Sequence, residues 1–141
     1  MSLRYDPRMV QPMREELTEI GFEEMLTAED VVSVIESNDD TLLVVVNSVC
    51  GCAAGKARPG VSKALQHEKK PARLATVFAG METEATDKVR GYFHGYPPSS
   101  PQIALFKGEN LVTMLERHDI EGRGAEEIAS VLVEAFDEHC S

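Results

Sequence analysis

Apolar residues along the chain switch between two periods, and the changeovers mark its elements. Met9, Met13, Leu17 and Ile20 recur at helical spacing behind Pro7, which predicts a helix over residues 8–20 stopped by Gly21. Thr27 and Asp30 are the two ends of a capping box ahead of Val31, Val34 and Ile35, so a second helix is expected over 28–37. The helical period then vanishes. Residues 42–46 are all Leu or Val, bounded by Asp39, Asp40 and Asn47, the pattern of a strand at 41–47 buried on both faces. Ala54, Ala57, Val61 and Ala64 restore helical spacing up to His67, and their small size lets that helix pack close to a sheet. Pro59 sits inside it, lacks an N–H and clashes with the carbonyl of Gly55, so a kink is expected.

Residues 73–79 read as the next strand, closed by Gly80. Met81, Ala85, Val89, Tyr92 and Phe93 mark a helix over 82–93, stopped at His94 and Gly95. Three prolines within 97–101 lead into an apolar run at 102–107, which with 111–115 forms a hairpin around Gly108, Glu109 and Asn110. A last helix over 124–140 turns Ile128, Val131, Leu132, Ala135 and Phe136 inward. Strand and helix alternating in this way place the chain in the α/β class, with crossovers joining parallel strands.

The 141 residues are most simply one domain, 1–141, with residues 1–38 as a helical segment packed on it. Acidic side chains outnumber basic ones 24 to 14, for a formal charge of -10, and the densest basic stretch is Lys69, Lys70 and nearby Arg73. That balance argues against nucleic acid, an anionic membrane surface or strongly acidic proteins as partners. The apolar run at 42–46 is far short of the roughly 20 residues that span a bilayer. Residues 1–7 lack the apolar core of an export leader, so a cytoplasmic, reducing location is expected.

In that setting a close cysteine pair points to catalysis or metal binding rather than to a structural staple. Cys50 and Cys52 flank Gly51 at the junction between the buried strand and the small-residue helix. Unpaired N–H groups and the positive end of the helix dipole favour a thiolate there, and the thiolate is the species that attacks disulfides. Cys50, at the helix edge, is the expected nucleophile; Cys52, further in, is expected to be more covered. A disulfide across one residue closes a small, strained ring, so the pair is expected to be more oxidising than a thioredoxin's. Gly51 fits because a side chain would crowd both the turn and an approaching substrate backbone. Zinc or copper(I) on the two thiolates is the rival chemistry, although no second ligand pair lies nearby in the sequence; a chance pair of small buried residues is the bland one. Lys56 and Arg58 either add positive potential near the sulfurs, meeting an anionic thiol, or are solvated helix charges. His118 reads as a local partner of Asp119, His67, His94 and His139 as surface residues, and Cys140 as a bystander on a frayed helix end, open to adventitious oxidation between chains.

The order of elements, with a reactive cysteine between the first core strand and its helix, resembles the thioredoxin fold. The segment 101–108, a proline running into an apolar strand and a Phe-Lys turn, resembles the thioredoxin segment that opens with a cis-proline facing the active-site cysteine. Pro59 resembles the proline that kinks the thioredoxin active-site helix. A finer resemblance rests on the run 49–60, with its single residue between the cysteines, together with 96–101 and 116–122: these look like the bacilliredoxin family over nearly the whole chain. The resemblance implies a thioredoxin-like fold, a central mixed sheet of about four strands flanked by helices, with the N-terminal helical extension. It implies that Pro101 is the cis-proline and that the backbone of Ser100 pairs with a bound substrate chain. It further implies a cytosolic thiol-disulfide oxidoreductase that removes bacillithiol, or a similar small thiol, from protein mixed disulfides. Cys50 then attacks and Cys52 resolves, with no tightly bound cofactor and the small thiol as co-substrate. A protein disulfide isomerase and a non-catalytic thiol or metal carrier stay as alternatives, and a homodimer is left open.

Overall fold

The computed structural model describes residues 5–140. Residues 1–4, part of the stretch read above for an export leader, and residue 141 lie outside the described residues. The centre of the molecule is the strand expected to be buried on both faces. All seven residues of Thr41–Asn47 are buried. In chain order the strands are β1 (Glu23–Glu24), β2 (Thr41–Asn47), β3 (Arg73–Phe78), β4 (Gln102–Lys107) and β5 (Asn110–Leu115). They form one sheet in the order β1-β3-β2-β4-β5. β2 pairs parallel with β3, Val44 opposite Ala75, and antiparallel with β4, Val44 opposite Ala104.

Side chains alternate along β2, and each set meets its own helical layer. Leu43 and Val45 pack with Ala57, Val61 and Ala64, and with Ile128, Leu132 and Phe136. Apart from Ala57, which closes the turn just before the first of them, these come from α3 (Arg58–Ala64) and α6 (Ala125–His139). Leu42, Val44 and Val46 pack on the other face against Val31, Val34 and Ile35 of α2 (Ala28–Glu36) and Ala85 and Val89 of α4 (Thr83–Arg90). α1 (Pro7–Thr18) completes the first layer through Leu17. Its inward residues are Val10 and Leu17, whereas Met9, expected on the buried stripe, is 46% exposed, because the helix is rolled toward the seven-residue spacing of the other two.

The sheet has five strands rather than four. β1 is two exposed glutamates held by backbone pairing to β3, and no hydrophobic alternation announces it. A short helix, α5 (Arg117–Glu121), follows β5 and was also not expected, since Ile120 is its sole buried residue. α1 and α4 end two or three residues early, their last turns completed by short bonds such as Ile20 N–H to the Leu17 carbonyl and Phe93 N–H to the Arg90 carbonyl. The expected kink before Pro59 takes the form of one π-helical turn, Ala53–Ala57. There the Arg58 N–H reaches back to the Ala53 carbonyl, five residues away, and the proline enters the first turn of α3, where its missing N–H is tolerated. α3 then ends at Ala64, and tighter turns carry the chain to His67.

Close packing of α3 is directed at α6 as well as at the sheet. A Cβ on Gly60 would lie 2.7 Å from Ile128 Cγ2 and 3.1 Å from the Ala125 carbonyl, so glycine is needed for the two helices to approach.

Candidate active site

β2 ends on Asn47, and with Ser48, the next residue, it builds the platform for the cysteines. Asn47 is buried; its Oδ1 accepts the Ser48 N–H at 2.8 Å and Arg58 Nη1 at 2.9 Å, and its Nδ2 donates to the Met13 carbonyl at 3.1 Å. Ser48 Oγ accepts the Cys50 N–H at 3.0 Å. The chain then turns into the helix. The Cys50 carbonyl accepts the Ala53 and Ala54 N–H groups, and the Cys52 N–H points at Cys50 Sγ at 3.3 Å. The Cys50 sulfur thus takes the place that a Ser or Asp oxygen takes at a helix start, receiving a backbone donor that the helix leaves unpaired.

This geometry separates the two thiols. Burial by itself pushes the Cys50 thiol up, and it is outweighed by the Cys52 N–H, the Cys52 thiol, the Arg117 guanidinium and the Ala53 N–H, so the group lies below its ordinary value. Cys52 moves the other way, first because its thiol donates to the Cys50 sulfur, then through burial and the negative charge at Cys50 and Glu121, with Arg117 opposing. Both residues are half-buried and all three cysteines are free thiols. The arrangement favours ionisation at Cys50 and disfavours it at Cys52, two positions along the chain.

The bond between Ser100 and Pro101 is cis, as the resemblance implied. Val46 lies opposite Gln102 across the β2–β4 ladder, so the residues just beyond them, Asn47 to Cys50 and Pro101, leave the sheet at the same end. Pro101 is buried and Ser100 half-buried. The loop is held from both sides: Arg90 Nη2 donates to the Ser99 carbonyl at 2.9 Å, and the Arg117 N–H donates to Ser99 Oγ at 3.3 Å.

Several expectations change. Gly51 has no positive φ, and a Cβ there would meet no heavy atom within 4 Å, so the turn itself does not require glycine. Arg58 is neither a solvated charge nor a group offered to a substrate; it is 3% exposed and lies beneath the cysteine turn. Lys56 Nζ donates to the Glu121 carbonyl at the end of α5. Cys140 is 7% exposed and packed in the main core, its thiol pushed up chiefly by burial, so it is no frayed bystander. His118 has an exposed side chain 3.6 Å from Asp119, the local pairing expected of it. His67 contacts Asp137 at 2.7 Å. Among the described residues, the His, Cys, Asp and Glu ligand atoms that converge in a group of three are those of Glu116, His118 and Asp119, a group that includes neither Cys50 nor Cys52. None of their helices is long and apolar enough to cross a membrane. Asn47, Ser48 and Arg117 were not singled out from sequence. A polar pair following an otherwise apolar run was the available sign for the first two; Arg117 lies in the run 116–122 that carried part of the family resemblance, although α5 shows no hydrophobic pattern of its own.

A family profile described as disulphide isomerase matches residues 5–140. Among curated relatives, a bacilliredoxin of Koribacter versatilis is 56% identical over 136 residues, covering 96% of this chain and 94% of its own. A bacilliredoxin of Halalkalibacterium halodurans is 53% identical over 143 residues, covering 99% of each. Among solved structures, one described as a putative oxidoreductase with a thioredoxin fold superposes with a TM-score of 0.62 at 18% identity, covering 80% of this chain and 94% of that one. Thioredoxin from Fasciola hepatica superposes with a TM-score of 0.57 at 22% identity, covering 84% and 99%. At that identity the structural likeness fixes the fold, which is that of thioredoxin.

Proposed function

The chain belongs to the bacilliredoxin family, and from that premise we propose that it is a thiol-disulfide oxidoreductase working on mixed disulfides between proteins and a small thiol. One observation carries the reading: the Cys52 N–H directed at the Cys50 sulfur, with the two thiols displaced in opposite directions. The Cys50 thiolate attacks the sulfur of the small thiol, forming a Cys50–thiol disulfide and releasing the protein as its thiolate. Cys52, hydrogen-bonded to Cys50, then loses its proton to solvent and attacks the Cys50 sulfur. This forms the Cys50–Cys52 disulfide and expels the small thiolate. Two electrons from an external dithiol or from two small thiols return the pair to its starting state. A second molecule of free thiol serves as the alternative resolving group, in which case Cys52 is not oxidised.

The names of the relatives make bacillithiol the first small thiol to test, and the cytoplasm, where thiols stay reduced, is the compartment we propose. The Ser100 backbone beside the cis bond is the proposed strand-like contact for the substrate protein, and Gly51 the surface it passes over. The test is single-turnover reduction of a protein bearing bacillithiol, or a comparison thiol such as glutathione, in mixed disulfide. Cys50→Ser is expected to reduce the rate to background, and Cys52→Ser to accumulate a Cys50 adduct of the small thiol's mass. An adduct on Cys52, or none, overturns the assignment. The description of the family profile favours isomerisation as a second reading. Rescue of a scrambled multi-disulfide protein that survives in Cys52→Ser and exceeds simple reduction would select it.

A further inference from the structure

Arg58 is the most buried cation in the molecule's active-site region, and its partners lead to the nucleophile. Its Nε donates to Glu16 Oε1 at 3.0 Å, while Nη1 donates to both Asn47 Oδ1 at 2.9 Å and the Ser48 carbonyl at 3.0 Å. Glu16 lies on α1, Asn47 ends β2 with Ser48 next in the chain, and Arg58 itself begins α3, so one guanidinium joins three elements. Ser48 Oγ in turn holds the Cys50 N–H. Asn47 is gripped twice, by Arg58 and by the α1 backbone at Met13. A guanidinium kept out of water at a few per cent exposure needs such partners, because its desolvation is repaid only when its donors are satisfied.

We infer that Arg58 is a positioning residue: by fixing the Asn47–Ser48 strand end from below, it holds Cys50 where the Cys52 N–H meets its sulfur, and it makes α1 part of that support. The inference rests on Cys50 being the nucleophile. Arg58 acts through backbone placement. The charged groups facing the two sulfurs are Arg117 and Glu121 of α5, with Cys52 beside them.

The experiment is the pH dependence of Cys50 alkylation, the site read by mass spectrometry, in the full-length protein and in Arg58→Met, Arg58→Lys and Ser48→Ala. Arg58→Met and Ser48→Ala are expected to move the alkylation midpoint upward by roughly one pH unit, with far-UV circular dichroism retained. Arg58→Lys, which keeps the charge but loses the planar fork, is expected to fall between Arg58→Met and the parent. If Arg58→Met does not fold, Ser48→Ala decides, because it removes one hydroxyl from the same chain of contacts. A folded Arg58→Met, or Ser48→Ala in its absence, with the parent midpoint overturns the inference. A parent midpoint for Cys50 at or above that of Cys52 overturns the nucleophile assignment instead, so the two failures are distinguishable.

Discussion

At Cys50 the position normally given to a hydroxyl or carboxylate oxygen at a helix start is taken by sulfur, and a backbone donor that would otherwise need water is directed at it, an arrangement that favours the thiolate. Arg117 adds to this from α5 with a half-exposed side chain, so its contribution passes partly through solvent and is screened by salt. Arg117→Gln is therefore expected to raise the Cys50 alkylation midpoint by a few tenths of a pH unit at low ionic strength, the difference closing in about 1 M salt. The sign follows from the charge: removing a cation disfavours the thiolate, so a higher pH is needed to form it. A midpoint indifferent to both substitution and salt would remove Arg117 from the site. Cys140 provides the internal contrast, a thiol pushed up by burial in the core. It is expected to resist iodoacetamide in the native protein at neutral pH and to react only in denaturant. Gly51→Ala is expected to change stability by no more than about 0.5 kcal/mol, since its Cβ meets nothing, and a loss of turnover on protein substrates without a loss of Cys50 alkylation would assign the glycine to substrate passage.

Among the elements, the helix carrying the cysteines is the one on which most depends, and it is held between the sheet and α6. Gly60→Ala brings a methyl to 2.7 Å from Cγ2 and 2.9 Å from Cβ of Ile128, a β-branched side chain with no exposure and little rotamer freedom. Relieving that overlap costs about 1–3 kcal/mol, against about 1 kcal/mol gained in helix propensity. Net destabilisation is expected, read as a lower urea midpoint at unchanged slope; an unchanged midpoint would mean that α6 slides freely on α3. The stripe of small residues in the sequence predicted a helix that packs closely, but it did not say against what, because the partner lies some 70 residues away along the chain, at Ile128. β2 was legible in full because burial on both faces leaves an unbroken run of Leu and Val. β1 and α5 were not, since two exposed glutamates and a five-residue helix with one buried side chain carry almost no hydrophobic pattern. Pro59 was read correctly as a disturbance, while its resolution as a π turn depends on where the Arg58 N–H finds an acceptor, which no local rule fixes.

Across the whole molecule, the cysteine pair and the cis-proline loop were legible from residue order, while their support was not, because it is assembled from buried polar groups of distant segments. α1 shows this twice. On one side Glu16 and the Met13 carbonyl reach the platform beneath Cys50. On the other, Arg14 donates to Glu24 at 2.8 Å and pairs with Glu82, with its guanidinium 5.2 Å from the Phe78 ring centroid. The Glu82 carboxylate also lies 3.3 Å from the Phe78 N–H, so Arg14 ties α1 to the ends of β1 and β3 and the start of α4. Arg14→Met leaves a largely buried Glu82 without its cation, and a loss of about 1–3 kcal/mol is expected, less than for a fully buried pair because both side chains retain some exposure. The hydrogen bonds and ion pairs of Arg14 go to Glu24 and Glu82, with none to the cysteine platform or the cis-proline loop, so the Cys50 alkylation profile of Arg14→Met is expected to overlay that of the parent while its thermal midpoint falls. Arg58→Met is expected to move the alkylation profile. Measured together, the two variants separate what α1 does for the fold from what it does for Cys50. If Arg14→Met displaces the Cys50 profile as far as Arg58→Met does, α1 acts on the site through its overall docking, and the specific path through Arg58 and Ser48 is lost.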